Sequence, residues 1–577
     1  MLRLYFKYLK EYKRYVILGP IFKIFEAVFE LLVPLVISDI INNGINGDLS
    51  QDEAYKYILK RGLLLLLFAV VGLLSTIVCQ YFAAKCSQGF GTKLRNALFK
   101  KINTLSFKEL DEFETSSLLT RLNSDINNMQ QSVAMLIRLV IRAPFLIIGA
   151  TILSFMVNLY AGIIFVFASL LLFAVIFIIM LIQVKLNRRQ QNSLDNLTSI
   201  TKENISGNRV VRAFNRQKSE FIRFCDEDIS LYNIQKRIGV LNAILNPMVF
   251  VITNVAIILV LYASGIKFTN SDLKQGDITS LYSYLLQIQI AVMVVCNLVV
   301  VFTKAIASAR RINEVFDKEP SIKFGLMNER LNNIPFEFKN VSFKYNQNTP
   351  NAISGQTFKI DNGMMVGIIG STGSGKSTLL ALMNRFYDVS EGEILLYGRN
   401  IKDYNEEFIR NEVSMVFQHA NLFSGSIRDN LKFANKNIEE DEIKSVLINS
   451  CAYEFVSKFD KGVDTNLYQG GKNLSGGQRQ RLAIARGLAK KSSILILDDS
   501  KSALDFKTSK ELTGHLRETN KTIIEVSQRA SDMMSCDLVI VLDKGFIVGL
   551  GKHQELIKDC NVYKEICDSQ DVGERYE

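Results

Sequence analysis

The stretch GSTGSGKST, residues 370–378, has the spacing G-x-x-x-x-G-K-[ST]. Residues of these types, so spaced, suit a polyphosphate. Glycines let backbone N–H groups turn toward the anion, Lys376 reaches the outer phosphates, and the Ser377 hydroxyl meets Mg²⁺. Gly370, Ser371, Thr372, Gly373, Ser374, Gly375, Lys376, Ser377 and Thr378 are therefore candidate nucleotide ligands. A second stretch, ILILDDSKSALD (494–505), is an apolar run that ends in two adjacent carboxylates. It delivers Asp498 to a metal and sets Asp499 beside it. Together the two stretches point to phosphoryl chemistry on ATP with Mg²⁺. Tyr345, in VSFKY, can stack on a base or serve as an ordinary strand aromatic.

These residues need a scaffold. The loop at 370–378 follows the apolar strand MVGII and precedes a helical stretch, TLLALMNRFY, as in a strand–loop–helix phosphate site. It lies in the C-terminal part of a 577-residue chain, where residues 330–577 have the mixed composition of a soluble domain. Residues 1–310 hold nearly all the long apolar runs. Spans are expected at 15–44, 62–84, on either side of NLYAG (158–162) within 143–184, at 239–265 and at 278–303, six in all. Pro34, Glu26 and Glu30 interrupt the first. Segments 85–128 and 185–238 are long and rich in Lys and Arg, whereas 45–56, 158–161 and 266–277 are short. The positive-inside rule then puts both termini, both long segments and the nucleotide domain in the cytoplasm, in a multi-pass protein of the cytoplasmic membrane. The net charge of +11 follows from Lys and Arg flanking apolar runs rather than from nucleic-acid binding. The first fifteen residues, basic and amphipathic, suit a helix at the membrane surface. Eight cysteines without a CxxC pair, and only three histidines, read as free thiols without a zinc site.

LSGGQ at 474–478, followed by RQRLAIARGLAKKSSILILDD, makes the chain resemble the ATP-binding cassette (ABC) proteins. With six preceding spans it resembles an exporter half-transporter over nearly its whole length. The resemblance implies an all-α six-helix transmembrane domain of the type I exporter kind (1–318), a linker (319–333) and an α/β P-loop nucleotide-binding domain (334–577). It implies that two cassettes sandwich two ATP molecules, each between one chain's Walker A loop and the other chain's Ser475, Gly476, Gly477 and Gln478. Gln418 matches the Q-loop, whose amide meets Mg²⁺ with Ser377 and Asp498, and Asp505 matches the D-loop across the dimer. TSSLLTRLNSD (115–125) and ENISGNRVVRAF (203–214) resemble segments whose short helices dock on the cassettes, with Ser116 where many members have Gly.

Two positions depart from the family. Its catalytic glutamate corresponds to Asp499, and its switch histidine to Gln528, which can donate a hydrogen bond but carry no proton. That pattern resembles the degenerate subunit of heterodimeric bacterial multidrug exporters. The expected partners are a second half-transporter chain, membrane lipids and a small apolar or amphipathic substrate such as a drug or lipid. A homodimeric flippase with slow hydrolysis and an ATP-responsive regulator that moves no cargo are the alternatives. Asn242, Asn246, Asn254, Gln287, Gln289 and Asn297 either line a cavity or join helices. Arg138 and Arg142 would touch lipid headgroups or snorkel.

Overall fold

The computed structural model describes residues 1–268 and 274–574, without the side chains of Asn246, 263–268 and 571–574. The middle of the expected loop 266–277 thus lies outside the described residues. The chain divides into two compact units, Met1–Thr104 with Phe113–Lys318, and Leu105–Glu112 with Glu319–Glu577.

The first unit is helical, because a charge-free apolar run in lipid must satisfy its backbone within its own segment. Among the described residues, five helices are long and apolar enough to cross a membrane: Gln51–Ile102, Thr115–Val157, Leu159–Ser206, Gln217–Tyr262 and Gln275–Asp317. Composition alone leaves out the expected first span. That helix, Lys13–Asp39, has 27 residues, or ~40 Å at ~1.5 Å per residue. It carries Lys23, Glu26 and Glu30, and its partners explain why it can. Lys23 pairs with Glu26 at 2.5 Å, and Arg142 of the Arg142–Val157 helix reaches Glu30 at 2.7 Å. Arg142 is therefore neither a headgroup ligand nor a snorkelling side chain; it is bound to a neighbouring helix.

The break inside 143–184 comes down to one residue. Asn158 ends one helix and caps the next, its side chain accepting from the N–H groups of Tyr160 and Ala161 at 2.9 and 3.2 Å. The membrane amides mostly join helices. Gln287 donates to the Glu30 carbonyl at 3.2 Å, Thr253 donates to Gln289 at 3.0 Å, and Gln183 donates to Asn242 at 3.0 Å. Asn254 instead donates to the Phe250 carbonyl of its own helix. The second long loop turns through a short helix, Asn208–Ala213, where Val210 and Phe214 stand exposed. The tip of the first loop differs from expectation. Leu105–Glu112, rather than the Thr115–Asp125 stretch, clusters with the second unit. There Phe107 stacks on Phe386 with ring centroids 4.2 Å apart, and Tyr387 donates to Asp111 at 2.7 Å.

The second unit is built on twelve strands: β1 (Phe336–Phe343), β2 (Ile353–Ile360), β3 (Met365–Gly370), β4 (Glu391–Leu396), β5 (Arg399–Asn400), β6 (Val413–Val416), β7 (Gly425–Ser426), β8 (Asn466–Leu467), β9 (Ile494–Asp498), β10 (Thr522–Val526), β11 (Leu538–Asp543) and β12 (Phe546–Gly551). An antiparallel sheet has the order β2-β1-β4-β5, a second has β12-β11-β3-β10-β9-β6, and β7 pairs with β8. From β11 to β6 the second sheet is parallel. Its strands β3, β9 and β10 are buried along their whole length, as expected where helices cover both faces of a parallel sheet.

Candidate functional site

The parallel register brings the predicted residues together. Val526 of β10 lies opposite Asp498 of β9 and Ile368 of β3, so three strands end at about the same level. Loops leaving the carboxyl ends of such strands form a crevice. The glycine-rich loop leaves β3, Asp499 leaves β9, and Gln528 follows β10. Gln418 follows β6, the neighbour of β9. These loops enclose a cleft of about 350 Å³ lined by Tyr345, Lys376, Ser377, Gln418, Asp499 and Gln528 among others, with Thr372, Gly373, Gly375, Thr378 and Asp498 also contributing.

The loop around Lys376 has the backbone that phosphate binding needs. Gly375 has φ +103°, and a Cβ there would lie 2.7 Å from the Ala352 carbonyl oxygen, so only glycine fits. The helix Lys376–Met383 starts directly after it, presenting free N–H groups and the positive end of its dipole. The Lys376 ammonium donates to the carbonyls of Gly370 and Ser371 at 2.8 and 2.7 Å. Burial lowers its pKa, against the pull of Asp499 and Asp498. Ser374 Oγ is buried without a partner among the described residues, a polar atom that a phosphate oxygen can satisfy. Tyr345 donates to or accepts from Thr378 Oγ1 at 2.9 Å and keeps its ring half-exposed at the cleft.

Asp498 and Asp499 are both buried. Ser377 donates to Asp498 at 3.3 Å. Burial, with the neighbouring Asp499 adding to it, raises the Asp498 pKa. Burial likewise raises that of Asp499, against the hydrogen bond from Gln418. Two desolvated carboxylates and a hydroxyl are a donor set suited to a hard divalent cation such as Mg²⁺. Asp499 holds an unusual backbone, φ +45°, and its Oδ2 accepts from two amides: Gln418 at 3.1 Å and Gln528 at 3.3 Å. Among the described residues, no histidine lines the cleft.

The LSGGQ and D-loop residues stand apart from this cleft. Ser475 and Gln478 cap the helix Gly476–Ala489 reciprocally, the Gln478 N–H donating to Ser475 at 3.2 Å and the Ser475 N–H to Gln478 at 2.9 Å. Gly477 runs so close to the SALD stretch after β9 that a Cβ would lie 3.1 Å from the Ala503 carbonyl oxygen. Asp505 caps the helix Phe506–Arg517 through the Thr508 N–H at 2.9 Å. Within one chain, Ser475, Gly476, Gly477, Gln478 and Asp505 form a second face, with the same helix-start chemistry.

Sequence reasoning missed the network beneath the acidic pair. Lys501, two residues past Asp499, is buried and donates to Glu525 of β10 at 2.6 Å and to Thr513 at 2.7 Å. Glu525 lies beside Leu497 in the β9–β10 register. The ion pair thus ties the turn after β9 to the strand that carries Gln528. Arg529 adds a second tie, donating to the carbonyls of Leu504 and Ser502 at 3.1 and 3.3 Å. The signal was the one basic residue in SKSALD and the one charge in the apolar run TIIEV, since a buried charge needs a partner.

Comparison with known proteins agrees with this geometry. Residues 16–292 match the ABC transporter transmembrane region family, and residues 353–502 match the ABC transporter family. An uncharacterized ABC transporter ATP-binding protein of Bacillus subtilis, YfiB, is 32% identical over 570 residues, covering 98% of this chain and 97% of its own. An ATP-dependent lipid A-core flippase of Haemophilus influenzae is 29% identical, covering 98% of each. The fold is that of a bacterial Atm1-family ABC exporter solved with ATP bound, with TM-score 0.81 at 20% identity over 96% of this chain and 99% of that one. The chain belongs to the ABC transporter family: it is an ATPase coupled to transport, with a transmembrane region and a nucleotide-binding domain in one polypeptide.

Proposed function

We propose that this chain exports apolar or amphipathic compounds, drugs or lipids, across the cytoplasmic membrane as one half of a heterodimer with one weak and one efficient ATP site. In this proposal the domains keep the bounds 1–318 and 334–577, with Leu105–Glu112 and the linker 319–333 clustering with the second unit, and both termini lie in the cytoplasm. The observation that carries this reading is the pairing of Gln528 with Asp499. The two residues that depart from the family meet at one carboxylate oxygen, which also accepts from Gln418. A carboxylate shortened by one methylene and held by two amides is poorly placed to orient water.

In this reading Lys376 and the loop N–H groups bind the phosphates, Tyr345 stacks on the base, and Ser377, Gln418 and Asp498 hold Mg²⁺. When bound, Mg²⁺ supplies charge neutralisation at the phosphates. The face formed by Ser475, Gly476, Gly477, Gln478 and Asp505 closes on the partner's nucleotide. The exposed Val210 and Phe214 suit burial against that partner. Closure travels along helices such as Leu159–Ser206, whose 48 residues span ~72 Å at ~1.5 Å per residue, far beyond a ~30 Å hydrocarbon core. The relation to a protein named a lipid A-core flippase supports a lipid-like cargo.

The test reconstitutes the full chain alone, and then with its co-purified partner, in lipid vesicles. Phosphate release and ATP-dependent transport of a fluorescent amphipath are followed. Slow release from the lone chain and fast release with transport from the pair are expected. Fast release and transport from the lone chain would establish a homodimeric flippase instead. Nucleotide binding without transport in either form would mark a regulator.

A further inference from the structure

Cys451, Glu511 and His515 lie far apart in sequence, but the fold brings their donor atoms within 4.8 Å of one another. Glu511 and His515 sit one turn apart on the helix Phe506–Arg517, which projects both side chains from one face. Cys451 follows the helix Glu440–Asn449. Its backbone is left-handed, φ +55°, unusual for a residue with a Cβ and a mark of constrained function. Two hydrogen bonds hold it there: its N–H donates to the Ile448 carbonyl at 2.8 Å, and Arg481 donates to its own carbonyl at 2.8 Å. These bonds fix the backbone from which the sulfur projects, and the sulfur lies 3.8 Å from His515 Nδ1.

We propose that Cys451, Glu511 and His515 form a three-donor site for a divalent transition metal, with Zn²⁺ the ion it suits best. Bond lengths of ~2.3 Å to sulfur and ~2.0–2.1 Å to nitrogen put neighbouring tetrahedral ligands ~3.6 Å apart. Cys451 Sγ and His515 Nδ1 are 3.8 Å apart, so an ion fits with little movement. A thiol–imidazole hydrogen bond alone would explain that distance, but not the convergence of the Glu511 carboxylate. Mixed sulfur, nitrogen and carboxylate donors favour Zn²⁺ over Mg²⁺. The set leaves a fourth tetrahedral position open to water. Glu511 and, more weakly, Asp505 bring negative charge near the sulfur, and Arg481 opposes them by more than Asp505 adds. Occupation clips the helix that begins after Asp505 to the end of Glu440–Asn449. This site does not depend on what cargo is carried or on which chain is the partner.

Co²⁺ titrated into the metal-stripped full chain tests the site, because a thiolate ligand produces sulfur-to-cobalt charge-transfer absorption that an all-oxygen Mg²⁺ site cannot. One equivalent should develop that absorption together with tetrahedral d–d bands, and Zn²⁺ should abolish both. Cys451→Ser should remove the charge transfer. Glu511→Gln, an exposed helix substitution that leaves packing intact, should weaken Co²⁺ binding by ~10–100-fold, the range that even outer-shell partners command. Absence of charge transfer in the natural chain, its persistence in Cys451→Ser, or unchanged affinity in Glu511→Gln each overturns the site. If Cys451→Ser does not fold, the Glu511→Gln result decides.

Discussion

Replacing Asp499 by glutamate adds one methylene, which on the proposed reading is the one this site lacks. The present carboxylate is buried, and Gln418 and Gln528 hold it at 3.1 and 3.3 Å. The added carbon carries the acid up to ~1.5 Å farther from the backbone, one C–C bond length. An error of about 1 Å in positioning costs ~10²-fold in rate, or ~2.7 kcal/mol of barrier. The left-handed backbone at Asp499 opposes part of this gain, since aspartate tolerates that region better than glutamate. The full chain, purified without a partner and reconstituted in vesicles at saturating ATP, should therefore release phosphate ~10–100-fold faster as Asp499→Glu, with KM little changed. Gln528→His added to it should raise the rate further, by supplying a group that can carry charge beside the phosphate. An Asp499→Glu chain no faster than the natural one, with nucleotide binding intact, would falsify the idea that carboxylate reach limits this site.

Other perturbations follow from the same contacts. Lys501→Met strands the buried Glu525 and should destabilise the chain by about 3–5 kcal/mol, whereas Lys501→Met with Glu525→Leu should be close to neutral. Burial raises the Glu525 pKa, so the folded chain holds more protons there than the unfolded one, and stability contributed at this residue falls as pH rises. The Lys501→Met deficit should accordingly shrink toward acidic pH. Thermal unfolding read through the reactivity of buried thiols such as Cys536 and Cys567 measures both effects. Tyr345→Ala should weaken ATP binding by ~1–3 kcal/mol, the worth of one base stack, while Tyr345→Phe should retain most affinity in equilibrium binding. Arg142→Met should lower stability in detergent by about 1 kcal/mol, a typical value for a polar contact between membrane helices, and adding Glu30→Gln should recover part of it.

The parts legible in the sequence are those whose meaning is local. GSTGSGKST, LSGGQ and ILILDD are short, and each element that positions them adjoins them in the chain. The apolar helices were legible because lipid imposes length and composition directly. The helix Lys13–Asp39 was harder: Lys23 and Glu26 pair within it, but Glu30 makes sense only beside Arg142, more than a hundred residues away. Cys451 and His515 are 64 residues apart, so no short spacing announces them. Lys501, in the turn after β9, meets Glu525 on the neighbouring strand β10, 24 residues on. The tip of the first long loop was misplaced because TSSLLTRLNSD carries the motif, while Phe107 and Asp111, just before it, make the contacts.

The left-handed turn at residue 499 also bears on how such a site changes over generations. Short polar side chains settle there with less strain than longer ones, so a glutamate at this point keeps its reach at a conformational cost. On the heterodimer proposed above, a partner subunit that carries the fast hydrolysis leaves nothing to maintain that cost, and aspartate relaxes the turn while keeping the amide contacts of Gln418 and Gln528. Loss of speed and gain of comfort are then the same substitution. An asymmetric pair of cassettes can arise by easing one backbone angle, without any selection for slowness.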